Sequence, residues 1–151
     1  MGEARARRVL VIDDEATIRA ALRQTLGDAG YAVTEASDGV EGVETLRSEP
    51  ADAVVMDIYM PHQDGFETIR ALRHVAPNVR IIAISGGSRG DFDPLKAAEL
   101  LGADRALRKP FGIDDVLGAL TDVLPAEPSA AVTPTWPAEP LVDDTRSRKA
   151  S

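Results

Sequence analysis

The stretch Val9-Leu10-Val11-Ile12-Asp13-Asp14-Glu15 (residues 9–15) decides the fold. Four aliphatic residues follow one another with no polar alternation. Such a run reads as a strand covered on both faces, as in a parallel sheet flanked by helices. It stops on two carboxylates, so polar chemistry begins where the strand ends. The run is far short of the roughly 20 residues that cross a bilayer. Although Arg5, Arg7 and Arg8 precede it, it is also shorter than the roughly 7–15 apolar residues of a secretory signal.

Residues 54–56 and 79–84 form similar runs rich in Val and Ile. Residues 31–36 and 105–108 are more polar and suit edge strands, where one side meets water. Helical stripes lie between the runs. Ile18, Leu22 and Leu26 recur every fourth residue. Val40, Val43 and Leu46 are expected to share a face, as are Phe66, Ile69 and Leu72. Leu95, Ala98 and Leu101 form a weaker stripe, and Ile113, Val116, Leu117, Leu120 and Leu124 the clearest one. Gly27, Gly30, Pro50, Pro77 and Gly102 are expected to separate the elements, and Pro94 to occupy a first helical turn. Five strand–helix units imply an α/β fold: a parallel sheet with helices on both faces.

The chain has 151 residues, 44% hydrophobic and 28% charged, an ordinary globular mixture of one domain plus a tail. The formal charge is −8, which argues against a nucleic-acid-binding surface. With no cysteine, disulfides and Cys-ligated zinc are excluded. Five of the ten prolines fall in residues 125–151, where large aliphatics are few and not periodic. That segment is expected to be a disordered or extended tail, and residues 1–124 the folded domain. The acidity belongs to the domain, which holds 21 acids and 14 bases. Trp136 and the cluster Arg146, Arg148, Lys149 lie in the tail, and the cluster is too small to indicate nucleic-acid binding.

The functional signal lies where the runs stop. The first ends in Asp13-Asp14, the third in Asp57, the fourth in Ser85 and the fifth in Lys109-Pro110. Ligands of open parallel α/β sheets bind outside the carboxyl ends of the strands. Three acids, a hydroxyl and an ammonium should therefore converge on one edge. Packed carboxylates repel one another and raise each other's pKa unless a cation intervenes. Magnesium suits the set: it prefers oxygen ligands, takes one or two carboxylates and accepts a phosphate oxygen. Lys109 supplies a compact positive charge that can hold a phosphoryl oxygen or pair with Asp57. Ser85 can donate a hydrogen bond to another phosphoryl oxygen. One carboxylate is then placed to act as nucleophile, as in aspartyl-phosphate chemistry. Taken singly, each group has an ordinary explanation: a helix-start acid pair, a turn aspartate, a loop serine, a surface lysine. The weight lies in all of them standing on strand ends. His62 and His74 have no metal-ligand spacing.

The segments VLVIDDE (9–15), VVMDIYMPHQDGFE (54–67), IIAISG (81–86) and LRKPF (107–111) resemble the receiver domain of bacterial two-component response regulators. The resemblance spans roughly residues 7–124. It implies a flavodoxin-like, doubly wound, five-stranded parallel sheet in the order 2-1-3-4-5 with five helices. It further implies that Asp57 is the phosphoacceptor and that Asp13, Asp14, Asp57 and the backbone carbonyl of Tyr59 hold Mg2+. Ser85 matches the switch hydroxyl and Lys109 the phosphate-holding lysine, with a cis Lys109–Pro110 bond. Pro61, Asp64 and Gly65 match the loop after the acceptor strand, and Phe111 matches the common KPF signature.

On the same resemblance the phosphoryl donor is a sensor histidine kinase or phosphotransfer protein, and a downstream protein target reads the result. The chain is expected to be cytoplasmic, to bind neither nucleic acid nor membrane, and to catalyse only its own phosphorylation and dephosphorylation. No output segment is read after Leu124, so signalling is expected through protein contact or phosphorelay. The family often carries Tyr or Phe where this chain has Ala106, so an aromatic rotamer switch is absent. Movement of residues 85–90, permissive through Gly86, Gly87 and Gly90, and of the fourth helix is expected instead. Tyr59 and Gly87 occupy the positions that influence water attack on the aspartyl phosphate, and slow self-hydrolysis is expected. The alternatives are a receiver-fold interaction module that works without phosphorylation, a small-molecule phosphatase or phosphotransferase, and a flavodoxin. The last is disfavoured because two carboxylates would repel the FMN phosphate.

Overall fold

The computed structural model describes residues 6–60, 63–86 and 93–124. Residues 6–124 form one compact unit. The expectations for the tail at 125–151, and for Pro61, His62, Gly87 and Gly90, fall outside the described residues. The main sheet comprises β1 (Arg8–Ile12), β2 (Ala32–Ala36), β3 (Ala53–Asp57), β4 (Arg80–Ser85) and β5 (Arg105–Arg108). All its neighbours pair in parallel, in the order β2-β1-β3-β4-β5. The helices are α1 (Ala16–Asp28), α2 (Gly39–Ser48), α3 (Gly65–Val75), α4 (Pro94–Leu100) and α5 (Ile113–Val123). This is the flavodoxin-like α/β arrangement. A short antiparallel hairpin, Tyr59–Met60 with Gln63–Asp64, follows the central strand.

Strand alternation divides the core in two. Leu10, Ile12, Val54, Met56, Ile81 and Ala83 face one side and pack with Leu46 of α2, Ile69 and Leu72 of α3, and Leu95 and Ala98 of α4. Val9, Val11, Ala53, Val55, Ile82 and Ile84 face the other and pack with Leu22 and Leu26 of α1 and Val116, Ala119 and Leu120 of α5. Both strand faces are apolar because both are covered, which is why the inner runs show no alternation. β2 and β5 are the edges, as their polarity indicates.

Two local expectations are corrected. Val40 does not share the buried face of Val43 and Leu46; it is 64% exposed. The buried side of α2 is instead built on Gly39, Gly42 and Leu46. A Cβ on Gly42 would come within 2.9 Å of Ile12 Cγ1, so the helix approaches the sheet through its glycine and turns Val40 outward. Gly27 does not break α1, which runs through it to Asp28. The chain reverses at Gly30, whose φ of 102° lies in the region that favours glycine. Pro94 does open α4, behind an Asp93 side chain that accepts a hydrogen bond from Leu95 N.

Candidate functional site

Sheet register delivers the site residues. Ile12 pairs with Ala36 and Met56, and Asp13 N extends the ladder by donating to Ala36 O at 3.1 Å. Asp57 pairs with Ile84. Ser85 pairs with Arg108, and Lys109 N donates to Ser85 O at 2.8 Å. The first, third, fourth and fifth strands thus end level, and their terminal polar groups meet at one edge. Asp13, Asp57 and Ser85 are buried, whereas Asp14 is exposed.

The carboxylates of Asp13, Asp14 and Asp57 each offer an oxygen within 4.8 Å of the other two. Lys109 Nζ donates to Asp57 Oδ2 at 2.9 Å. Burial, joined by the charges of Asp57 and Asp14, raises the Asp13 pKa from 3.8 to about 6, against the hydrogen bond from Glu15 N and the field of Lys109. Burial alone would lower the Lys109 pKa. The hydrogen bond and charge of Asp57, with Asp13 and Glu15 beyond, outweigh it and hold the ammonium above its ordinary value. Three acids facing one lysine leave surplus negative charge in a partly desolvated pocket. Its donors are all oxygen, and that combination fits a hard divalent cation.

The loop after Asp57 is held close to the sheet at Gly65, the first residue of α3. A Cβ there would lie 2.7 Å from Ile58 Cα and closer still to the Ile58 carbonyl oxygen, so only glycine fits this approach. The Lys109–Pro110 peptide bond is cis, as expected. Ala106 pairs with Ala83 and is half-buried against the α2–α3–α4 core. Tyr59 lies in the hairpin directly after the site.

One residue beside the site does not stand out in the sequence. Arg19, in the first turns of α1, donates from Nη1 to the Asp13 carbonyl at 2.7 Å and from Nε to Glu35 Oε1 at 3.2 Å. One signal was available. Cations are disfavoured near a helix N-terminus, and the first turn of α1 holds no acid to offset Arg19. A cation placed there asks for a specific partner.

The response regulator receiver domain family matches residues 9–121. The chain belongs to that family. The receiver domain is 37% identical over 117 residues to the response regulator MprA of Mycobacterium ulcerans, covering 78% of this chain and 50% of that protein. The chain therefore spans about half the length of the curated relatives it matches. Among solved structures, it superposes on the Vibrio cholerae chemotaxis protein CheY4 with a TM-score of 0.72 and 30% identity, covering 80% of this chain and all of that one. A Burkholderia pseudomallei response regulator with a phosphorylated aspartic acid, a calcium ion and citrate gives a TM-score of 0.70 at 28% identity over 78% of this chain and 68% of that one. The receiver domain is thus a two-component signalling domain. Its acidic triad is consistent with the family's metal site, and no helix among its described residues is long and apolar enough to cross a membrane.

Proposed function

We propose that this receiver domain accepts a phosphoryl group on Asp57 from a histidine kinase or phosphotransfer protein, with Mg2+ held by Asp13, Asp14, Asp57 and the Tyr59 carbonyl. The observation that carries the reading is the buried Asp57, with two further carboxylates within 4.8 Å and the Lys109 ammonium hydrogen-bonded to it at 2.9 Å. An Asp57 carboxylate oxygen attacks phosphorus, an O–P bond forms, and the P–N bond of the donor phosphohistidine breaks. The departing imidazole keeps the electron pair and takes a proton from solvent. The cation, when bound, neutralises charge on the transferring phosphoryl oxygens. Lys109 exchanges Asp57 Oδ2 for a phosphoryl oxygen, and Ser85 donates to another. The Burkholderia relative, with its phosphorylated aspartic acid and calcium ion, supports the same pairing of chemistry.

With Ala106 in place of an aromatic residue, the output is carried by Ser85 and the segment leading into α4, and a protein target reads that face. Catalysis is confined to the domain's own phosphorylation and dephosphorylation, in the cytoplasm.

Beryllofluoride, which mimics a phosphoryl group on a carboxylate, is the probe for the site. Fluorine NMR should show a bound species that needs both Mg2+ and Asp57. Binding that survives Asp57→Asn would overturn the assignment of the acceptor. No bound species in the intact chain would favour the phosphorylation-independent interaction module.

A further inference from the structure

Asp13 is held at its backbone as well as its side chain. Its N–H donates to Ala36 O at 3.1 Å, and its Oδ1 accepts from Glu15 N at 2.9 Å. Its carbonyl accepts from Arg19 Nη1 at 2.7 Å. That carbonyl belongs to the peptide joining Asp13 to Asp14, so whatever fixes it fixes the relative aim of both carboxylates. Arg19 is itself anchored. Its Nε donates to Glu35 Oε1 on the edge strand β2, and Glu35 Oε2 is held in turn by Arg23 Nη1 at 2.8 Å. Arg19 is mostly buried, with 18% of its side chain exposed, whereas Arg23 is 60% exposed. The hydrogen bond to Arg23, with that to Arg19, outweighs burial and keeps Glu35 below the ordinary carboxylate range, so the bracket stays charged.

We propose that Arg19 is a positioning residue for the metal site: bracketed by Glu35, it sets the peptide between Asp13 and Asp14 so that both carboxylates face one cation. The proposal rests on reading the acidic triad as a magnesium site. Groups behind a metal's own ligands commonly matter about 10–100-fold in affinity because they fix ligand orientation. The planar fork of arginine reaches two acceptors on different elements at once, which lysine's single ammonium does less well.

The test is magnesium titration of the full chain by calorimetry at neutral pH, with thermal melting of each variant in the absence of metal. Arg19→Ala should raise the magnesium dissociation constant roughly tenfold. Arg19→Lys should fall between it and the wild type. Arg23→Ala removes an ion pair to the same Glu35 but leaves the Asp13 carbonyl held, and should stay within about twofold of the wild type. Equal affinity of wild type and both Arg19 variants would overturn the proposal while leaving the magnesium site standing. Equal losses in the Arg19 and Arg23 variants, tracking their melting temperatures, would reduce Arg19 to a structural ion pair and also overturn it. A wild-type chain that binds no magnesium would overturn the reading of the site itself, and the positioning role with it.

Discussion

At the scale of single residues, burying the Asp13 carboxylate costs the metal-free domain stability. Asp13 ionises at about 6 in the folded domain against 3.8 for the free side chain. Between those values the unfolded chain has released the proton and the folded chain keeps it. Metal-free stability therefore falls as pH rises through that window, and the deficit is complete above it. Asp13→Asn should stabilise the metal-free domain by roughly 1–3 kcal/mol at pH above about 7, and the gain should vanish below about pH 4. Urea unfolding at the two pH extremes reads this directly. A variant less stable than the wild type at neutral pH would show that Asp13 is already compensated without a cation. Asp13, Asp14, Asp57, Ser85 and Lys109 stand out in the sequence because each lies where a strand-like run stops. Arg19 does not stand out, because its partners are Asp13, just past the end of β1, and Glu35 on β2, which only the folded sheet brings together. Arg73 escaped for the same reason: it joins α3 to the Gly102 carbonyl at 2.6 Å and to Asp104 at 2.8 Å, 31 residues on.

At the scale of elements, packing depends on where glycine lets the backbone approach. Gly65 and Gly42 both sit where a Cβ would collide, but with different atoms. At Gly65 the obstacle is the Ile58 backbone, and at Gly42 it is the Ile12 side-chain tip. Gly65→Ala should therefore destabilise by about 2–4 kcal/mol and loosen the loop after Asp57. Gly42→Ala should cost less, about 1–2 kcal/mol, because Ile12 can change rotamer and alanine favours the helix. Chemical denaturation of the pair measures the difference, and equal losses would contradict it. In α5, Leu120 is fully buried and Ile113 38% exposed. Leu120→Ala should cost about 2–5 kcal/mol and Ile113→Ala under about 1 kcal/mol. The stripe from Ile113 to Leu124 was legible because apolar period and burial nearly coincide there. On α2 they parted. Val40 supplies hydrophobicity where the helix faces water, while the contact itself is made by glycine, which no hydrophobic pattern registers.

At the scale of the whole molecule, the topology was legible because three inner apolar runs, two polar edge runs and five amphipathic stretches permit few arrangements. Parallel crossovers and coverage of both faces narrow them further. The compact unit ends at Leu124. If the domain is complete there, a chain cut after Leu124 should melt within a few degrees of the full 151 residues and bind magnesium equally well. A large drop in melting temperature would assign residues 125–151 a structural role.

We propose that the sheet edge formed by Asp13, Asp14, Asp57 and Lys109 directs transfer of a phosphoryl group to Asp57. The most direct measurement is intact mass of the full chain after incubation with acetyl phosphate, with and without magnesium, beside Asp57→Asn. One added phosphoryl group, dependent on both magnesium and Asp57, is the predicted result. An unchanged mass in a chain that binds magnesium, or a phosphoryl group that persists in Asp57→Asn, would contradict it.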